Sequence, residues 1–200
     1  MYSRQSRGRA RRSALLAAAL ALGALFLTRL WPPPPALLTS SAEAACPVRV
    51  RSTFTGRCVA VADGDTLSVM RDGREQRVRL WGVDSPEKRQ DYGSRAKQFV
   101  SDIAFGRALT VQETGRDRYG RSLGWVLLSD GRSLNVELVR AGMAWWYRSY
   151  APRAPVLERM EAEARRGRAG LWGMRSPEPP WEFRRERRSP GSARSPRASR

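Results

Sequence analysis

The fold is decided by residues 58–83, which read CVAVADGDTLSVMRDGREQRVRLWGV. Three apolar runs of strand length occur in this stretch, and short polar segments separate them. The runs are residues 58–62, 66–70 and 75–83, and the separating segments are Asp63-Gly64-Asp65 and Arg71-Asp72-Gly73-Arg74. Because aspartate and glycine favour tight turns, the second segment predicts a hairpin. The stretch therefore predicts three consecutive strands joined by turns.

Helices and further strands follow this stretch. Apolar residues at helical spacing and alternating apolar residues mark them. The predicted strands are 108–114 and 122–129, and the predicted helices are 94–104, 156–166 and a short one from its N-cap Ser133 to Gly142. Strands that cluster early in the chain, with helices among the later ones, predict a small β-barrel packed by helices.

The composition restricts the chemistry that the chain can perform. The 200 residues carry a formal net charge of +18 and include no histidine. So basic a chain suggests a polyanionic partner, either nucleic acid or an anionic membrane, although an arginine-biased genome would also raise the arginine content. Without histidine, Ser-His-Asp and Cys-His triads and histidine metal sites are excluded. Acid–base work falls to carboxylates, tyrosines, lysines or arginines.

The N-terminal residues 1–44 have the features of an export signal. Arginines precede an apolar run at Ala14–Leu27, and Ala42-Glu43-Ala44 matches an A-x-A cleavage pattern. The run is short for a membrane span, but the proline-rich spacer after it leaves an uncleaved signal anchor as an alternative. We therefore expect a periplasmic or extracellular protein, or one anchored to the cytoplasmic membrane and facing outward.

Export changes the expectation for the two cysteines. In an oxidising compartment, Cys46 and Cys58 could form a disulfide that ties the mature N-terminus to the first strand. The alternative is two unpaired thiols, one of them buried. We predict the disulfide.

The C-terminal residues differ in composition from the rest of the chain. Arginine, proline and serine dominate Arg175–Arg200, with little to bury beyond Trp181 and Phe183. We expect the globular domain to span residues 45–183 and the basic residues 184–200 to be disordered. Such a tail would either add salt-sensitive affinity for phosphates or be inert.

Carboxylates and arginines in three short segments carry the candidate chemistry. Asp65 and Asp84 follow strands, and with the backbone carbonyl of Ser85 they offer the oxygen ligands that calcium prefers. Glu87 can face the same pocket and act on water as a general base. The guanidinium groups of Arg79 and Arg121 suit a phosphate that gains charge in a transition state. Each segment alone is more typical of a turn or a surface hairpin, and only their joint occurrence is specific.

Six motifs resemble those of the staphylococcal nuclease-like proteins, or thermonucleases, particularly the exported bacterial members. The motifs are VADGDT at 61–66, VRLWGVDSPE at 78–87, DRYGR at 117–121, LNVELVRAGMAWWY at 134–147, ARRGRAGLW at 164–172 and PPWEFR at 179–184. The resemblance implies an α+β fold, a five-stranded OB-fold barrel with three packing helices. It also implies calcium-dependent cleavage of DNA and RNA that leaves 3′-phosphate products.

The resemblance also assigns roles to residues. Asp65, Asp84 and Ser85 would bind calcium, Glu87 would be the base or orient the water, and Arg79 and Arg121 would hold the phosphate; Arg118, Tyr119, Tyr147 and Tyr150 are candidates for contact with the substrate. The loop from Lys88 to Gly93 is shorter than in the best-known member, so the base could be positioned differently. Tyr147 and Tyr150 do not align uniquely, and one of them could serve only in packing.

Two other functions remain open on the sequence alone. The first is a non-catalytic OB-fold module that binds nucleic acid without cutting it. The second is a polybasic protein that binds acidic polymers or lipids through residues 184–200. Because the acids and arginines of all three segments are present, we expect a nuclease that acts as a monomer on nucleic acid.

Overall fold

The computed structural model describes residues 45–188 of the chain. The strands are β1 (Ser52–Val61), β2 (Thr66–Arg71), β3 (Arg74–Leu80), β4 (Val83–Asp84), β5 (Ala108–Arg116), β6 (Ser122–Leu127) and β7 (Trp145–Trp146). The helices are α1 (Gly93–Ala104), α2 (Leu134–Arg140), α3 (Pro155–Arg166) and α4 (Pro180–Arg188), with a 3₁₀ turn at Gly170–Gly173. The predicted export signal and the end of the predicted tail lie outside the described residues. No helix within 45–188 has the length and apolar character needed to cross a membrane.

Five strands close into a barrel in the order β1-β2-β3-β6-β5. Neighbouring strands are antiparallel except β3 and β6, which are parallel and complete the closure. The short strands β4 and β7 form a separate two-stranded ladder beside the barrel. This architecture confirms the predicted α+β fold with a five-stranded OB-fold barrel.

The barrel interior is filled by apolar side chains at alternate strand positions. Inward-facing Leu67, Val69, Val78 and Leu80 are almost completely buried, as expected when successive side chains point to opposite faces. The residues between them, including Arg79, face outward. Helices α2 and α3 pack against each other through Leu138, Leu157 and other buried residues. The outer face of β3 is therefore free to carry polar chemistry over a rigid core.

Three details differ from the sequence-based expectation. The described residues contain four α-helices rather than three. Helix α4 continues through Arg188, so residues 184–188 are helical and the predicted start of disorder at 184 is wrong. Strand β3 ends at Leu80 instead of residue 83, because Gly82 adopts a positive φ of 76° and turns the chain into β4.

The predicted disulfide between Cys46 and Cys58 is also wrong, since both thiols are free. The side chain of Cys58 faces the barrel interior and is 1% exposed, and its thiol donates to the carbonyl of Ala60 at 3.6 Å. Cys46 packs partly against the same core. Burial raises the pKa of both thiols, which disfavours the thiolate that forms a disulfide.

Candidate active site

Two buried aspartates form the centre of the candidate site. Asp65 follows the turn between β1 and β2 and is 2% exposed, while Asp84 ends β4 and is fully buried. The turn is held by the amide of Asp65, which donates to Asp63 Oδ1 at 3.1 Å. Gly64 is required there, because a Cβ atom would lie 2.7 Å from the Cβ of Ala96 on α1. Close packing of α1 against the turn thus fixes the position of Asp65.

Ser85 links the two aspartate loops. Its backbone amide and its hydroxyl donate to Asp65 Oδ2, at 2.8 Å and 2.9 Å respectively. The other carboxylate oxygen of Asp65 accepts a hydrogen bond of 3.1 Å from the hydroxyl of Thr66. The two predicted ligand-bearing loops are therefore brought together, and both oxygens of Asp65 are oriented by neighbouring groups.

Arg79 lies between the two aspartates. Strand register places it opposite Thr66, and its guanidinium forms an ion pair with Asp65 through Nη1. Its Nη2 donates to Asp84 Oδ1 at 2.8 Å. The sequence predicted that Arg79 would hold a phosphate, but here it neutralises the acids. Two buried carboxylates this close need such a countercharge, because unpaired buried charges are strongly destabilising.

Arg121 reaches the site from the turn between β5 and β6. Its Nε donates to Asp117 Oδ2 at 2.6 Å, and its Nη1 donates to the Thr66 hydroxyl at 3.4 Å. Burial alone would raise the pKa of Asp117, but hydrogen bonds from Arg121 and from the amides of Arg121 and Tyr119 lower it. Arg121 is thus connected to Asp65 through one hydroxyl group, in agreement with its predicted place near the acids.

Arg184 on α4 also belongs to the site, although the sequence placed it at the start of a disordered tail. Its Nη2 donates to Asp84 Oδ2 at 2.6 Å, and its Nη1 donates to Glu87 Oε1 at 2.7 Å. Burial alone would lower the pKa of Arg184, but its hydrogen bonds with Asp84 and Glu87 raise it, so the group stays charged. The motif at 179–184 was the only available sign of this contact, and it gives no indication of the partners.

Glu87 lies at the rim of the site. Its side chain is 39% exposed, in contrast to the buried aspartates. Its backbone amide donates to Gln90 Oε1 at 3.1 Å, which orders the short loop that follows. A carboxylate in contact with both solvent and a buried acidic centre is well placed to accept a proton from water.

The four predicted substrate-contacting residues have different surroundings. Arg118 and Tyr119 lie exposed on the turn next to Arg121, where the Arg118 guanidinium covers the Tyr119 ring at 4.8 Å. Tyr150 is 73% exposed. Tyr147 is stacked on Trp181, with ring centroids 5.4 Å apart. The Tyr150 ring also contacts the Tyr147 ring, with centroids 4.8 Å apart. Most of the Tyr150 surface is nevertheless open to a ligand, whereas Tyr147 contacts both Tyr150 and Trp181.

The oxygen donors in the site fit a hard divalent cation. Asp65 and Asp84 supply carboxylates and Ser85 supplies a carbonyl, which is the ligand type that calcium prefers. Within residues 45–188 there is no group of three or more acidic, histidine or cysteine side chains arranged to hold a metal ion. A cation here would therefore depend on the two aspartates together with carbonyl and water oxygens.

Fold and site together define an OB-barrel protein whose outer face carries buried acids neutralised by arginines. A sequence profile of the family described as staphylococcal nuclease homologue matches residues 77–174. A protein of Escherichia coli O157:H7 named as an uncharacterized endonuclease is 45% identical over 129 residues, covering 64% of this chain and 84% of that protein. Micrococcal nuclease of Shigella flexneri is 40% identical over 141 residues, covering 66% and 81% respectively.

The chain therefore belongs to the staphylococcal nuclease homologue family. This confirms the family that the sequence motifs indicated, and four of the six motifs lie within the matched residues.

Proposed function

We propose that the protein is a calcium-dependent endonuclease that hydrolyses phosphodiester bonds of DNA and RNA. The observation that carries this proposal is one connected cluster of ion pairs, to which Arg121 is joined through Thr66. The cluster consists of Asp65, Asp84, Glu87, Arg79 and Arg184. The relatives named as endonuclease and micrococcal nuclease support the same reaction class.

Asp65, Asp84 and the carbonyl of Ser85 would hold the calcium ion. When bound, the cation supplies Lewis-acid polarisation of a phosphoryl oxygen. Asp65 is already oriented by Ser85 and Thr66, so little rearrangement of this ligand is needed. Because both aspartates are buried, water around the phosphate is limited and each electrostatic contact is strengthened.

The remaining residues position water and phosphate. Glu87 accepts a proton from water as the water oxygen attacks phosphorus, and the bond from phosphorus to the 5′ oxygen breaks. The leaving 5′ oxygen takes up a proton from solvent water, and Glu87 later returns its proton to solvent. Because the bond to the 5′ oxygen is the one that breaks, the phosphate stays on the 3′ oxygen of the other product. Arg121 donates to the phosphate oxygens and offsets the charge that develops there. Arg79 would do the same when the cation shares the carboxylates of Asp65 and Asp84 with it. Guanidinium groups suit this role because they stay charged and bind oxygens in pairs.

A basic cleft beside the site offers a path for the nucleic-acid strand. Its volume is about 790 Å³, and its lining includes Arg49, Arg51, Arg153, Trp81 and Tyr150. Leu123 also lines this cleft and pairs with Arg79 across β3 and β6, so the cleft adjoins the strand that carries Arg79. Arginines that contact phosphates and aromatic rings that stack on bases together bind single strands with little sequence preference.

We also propose that the protein works outside the cytoplasm, as a monomer. The features of residues 1–44 support export, either as a cleaved signal or as an anchor in the cytoplasmic membrane. Free extracellular or periplasmic nucleic acid would then be the substrate.

The test is digestion of single-stranded DNA and of RNA by the full chain, with calcium and with excess chelator. We expect cleavage with calcium, no cleavage with chelator, and fragments that end in 3′-phosphate. Fragments that end in 3′-hydroxyl would contradict the proposed bond cleavage.

A non-catalytic binding module is the second candidate. It is favoured by one observation, namely that Arg79 and Arg184 already occupy the carboxylates of Asp65 and Asp84. Tight binding of single-stranded DNA in a gel-shift assay, with no cleavage at any calcium concentration, would establish this alternative.

A further inference from the structure

Arg184 forms an unusually complete set of contacts for a residue so near the C-terminal end of the described chain. The Nη2 of Arg184 donates to Asp84 Oδ2 at 2.6 Å. The Nη1 of Arg184 donates to Glu87 Oε1 at 2.7 Å and to Asp84 Oδ1 at 3.3 Å. The guanidinium therefore joins two acids that lie three positions apart. Such paired, charge-assisted bonds fix orientation as well as adding energy.

Helix α4 is held rigidly enough to present this side chain. Trp181 stacks on Tyr147 and meets Trp145 edge-on at 6.4 Å. Phe183, next to Arg184, is 6% exposed. Gln90, in the loop after Glu87, donates its side-chain amide to the carbonyl of Glu178 just before the helix. These contacts tie α4 both to the β7 side of the site and to the loop that carries Glu87.

We propose that Arg184 is a positioning residue of the active site, which orients Glu87 and competes with the divalent cation for Asp84. The inference deepens the proposed function and rests on it. Asp84 Oδ1 already accepts from Arg79 at 2.8 Å, so Arg184 brings a second positive charge to a carboxylate that must also bind a cation. Like charges at such distances oppose each other, and the opposition is strongest at buried sites.

Competition and positioning have distinct consequences. Removing the Arg184 charge should tighten calcium binding, because the cation then meets less positive charge at Asp84. It should also lower turnover, because Glu87 loses the group that fixes its orientation. A merely structural contact would have the opposite effect on affinity, since loosening a ligand loop weakens the binding of its cation.

The experiment compares the full chain with Arg184→Gln, Arg184→Lys and the control Arg187→Gln. Arg187 lies on the same helix, but its guanidinium covers the Phe183 ring, at 5.5 Å, rather than an acid. Calcium affinity is measured by titration calorimetry, and kcat and KM are measured on single-stranded DNA at saturating calcium. We expect Arg184→Gln to bind calcium about tenfold more tightly, equivalent to ~1.4 kcal/mol, and to have a kcat at least about tenfold lower.

Arg184→Lys should show smaller changes of both kinds, because it retains the charge but cannot bind two acids as a fork. Arg187→Gln should match the unmodified chain.

Calcium affinity in Arg184→Gln that is unchanged or weaker would overturn the proposal, as would an unchanged kcat. If the unmodified chain binds calcium but these results fail, only the Arg184 inference is lost. If neither the unmodified chain nor Arg184→Gln binds calcium, the proposed function and this inference both fail. Calcium binding by Arg184→Gln alone would support the competition.

Discussion

Trp181 lies parallel to Tyr147, with ring centroids 5.4 Å apart and ring planes inclined by 3°. The stack joins α4 to the segment that follows β7. Strand β7 pairs with β4, and Trp145 of β7 lies opposite Asp84. On the sequence alone, Tyr147 could either contact the substrate or serve only in packing. In the structure, one face of its ring packs on Trp181. The same stack helps to set the position of Arg184 three residues further along the helix.

Replacing Trp181 with alanine should destabilise the protein. The change removes both the parallel stack on Tyr147 and the edge contact with Trp145. Because Trp181 is only half-buried, we expect a loss of about 2 kcal/mol in the free energy of unfolding, below the cost of a fully buried tryptophan. Urea denaturation measures it, with Tyr119→Ala, which truncates a 68% exposed ring, as the control. Equal losses in the two variants would show that the stack contributes nothing specific.

Tyr150 should contact the substrate. Its ring is 73% exposed and lines the basic cleft. Stacking of a base on an aromatic ring contributes ~1–3 kcal/mol, so Tyr150→Ala should weaken binding of a single-stranded oligonucleotide by about 5- to 150-fold. Fluorescence anisotropy with chelator present measures binding without cleavage. Phe105→Ala, at the end of α1 and 58% exposed, should bind like the unmodified chain. A Tyr150→Ala variant of undiminished affinity would remove Tyr150 from the substrate path.

Glu87→Gln tests the proposed base. The amide keeps the shape of the side chain but cannot take a proton from water, so we expect turnover to fall by about 10²–10⁴-fold. The melting temperature should change little, because the side chain is 39% exposed at the rim. Glu75→Gln on the exposed side of β3 is the matched control and should keep full turnover. Loss of activity accompanied by unfolding would instead assign Glu87 a structural role.

The state of the two cysteines can be checked by alkylation and mass spectrometry. Both thiols are free, so without any reductant the unfolded chain should take up two alkyl groups. In the folded chain, Cys46 should react first and Cys58 slowly, since Cys58 is 1% exposed. Because burial raises the pKa of both thiols, the labelling rate should keep increasing as the pH rises above the ordinary range for cysteine. An unfolded chain that takes up no label would restore the predicted disulfide.

The local elements of the fold could be predicted from the sequence, because their signals lie within a few residues of each other. Turn residues between apolar runs marked the strands at β2 and β3, and Ser133 is the N-cap of α2, where its hydroxyl accepts from the amide of Val136. The convergence of Asp65 with Asp84 was also expected, from the joint occurrence of the three polar segments and from the motifs that carry the family resemblance.

Contacts between distant residues could not be predicted in this way. Arg184 and Asp84 are 100 positions apart, and the arginine lies in a composition that is typical of disorder. Glu161 was assigned to a charged amphipathic helix, yet it is 2% exposed and accepts the amide of Trp146 at 3.2 Å. In both cases a charged group is stabilised by specific partners, most of them distant in the sequence, and neither residue periodicity nor composition identifies those partners.

Asn135 is another buried polar group of this kind, and it leads to the last prediction. It is fully buried on α2, and its side chain bonds only to backbone among its described contacts. Its Oδ1 accepts from the amide of Val126 at 3.0 Å, and its Nδ2 donates to the carbonyls of Trp81 at 2.8 Å and Gly124 at 3.2 Å. One amide therefore bridges the ends of β3 and β6, where the barrel closes beside the site.

Asn135→Ala should remove all three bonds and leave the Val126 amide and the Trp81 carbonyl without this partner in a buried region. Each such group costs ~1–3 kcal/mol, so we expect a loss of about 2–4 kcal/mol in the free energy of unfolding. Urea denaturation measures the loss, and Gln98→Ala is the control, since its exposed amide bonds only to Asp102, at 2.7 Å, and should cost less than about 0.5 kcal/mol. If Asn135→Ala lowers the free energy of unfolding by no more than Gln98→Ala does, the barrel closure does not depend on the Asn135 bridge. The contact between Asn135 and the Trp81 carbonyl would then not contribute to the stability of the site.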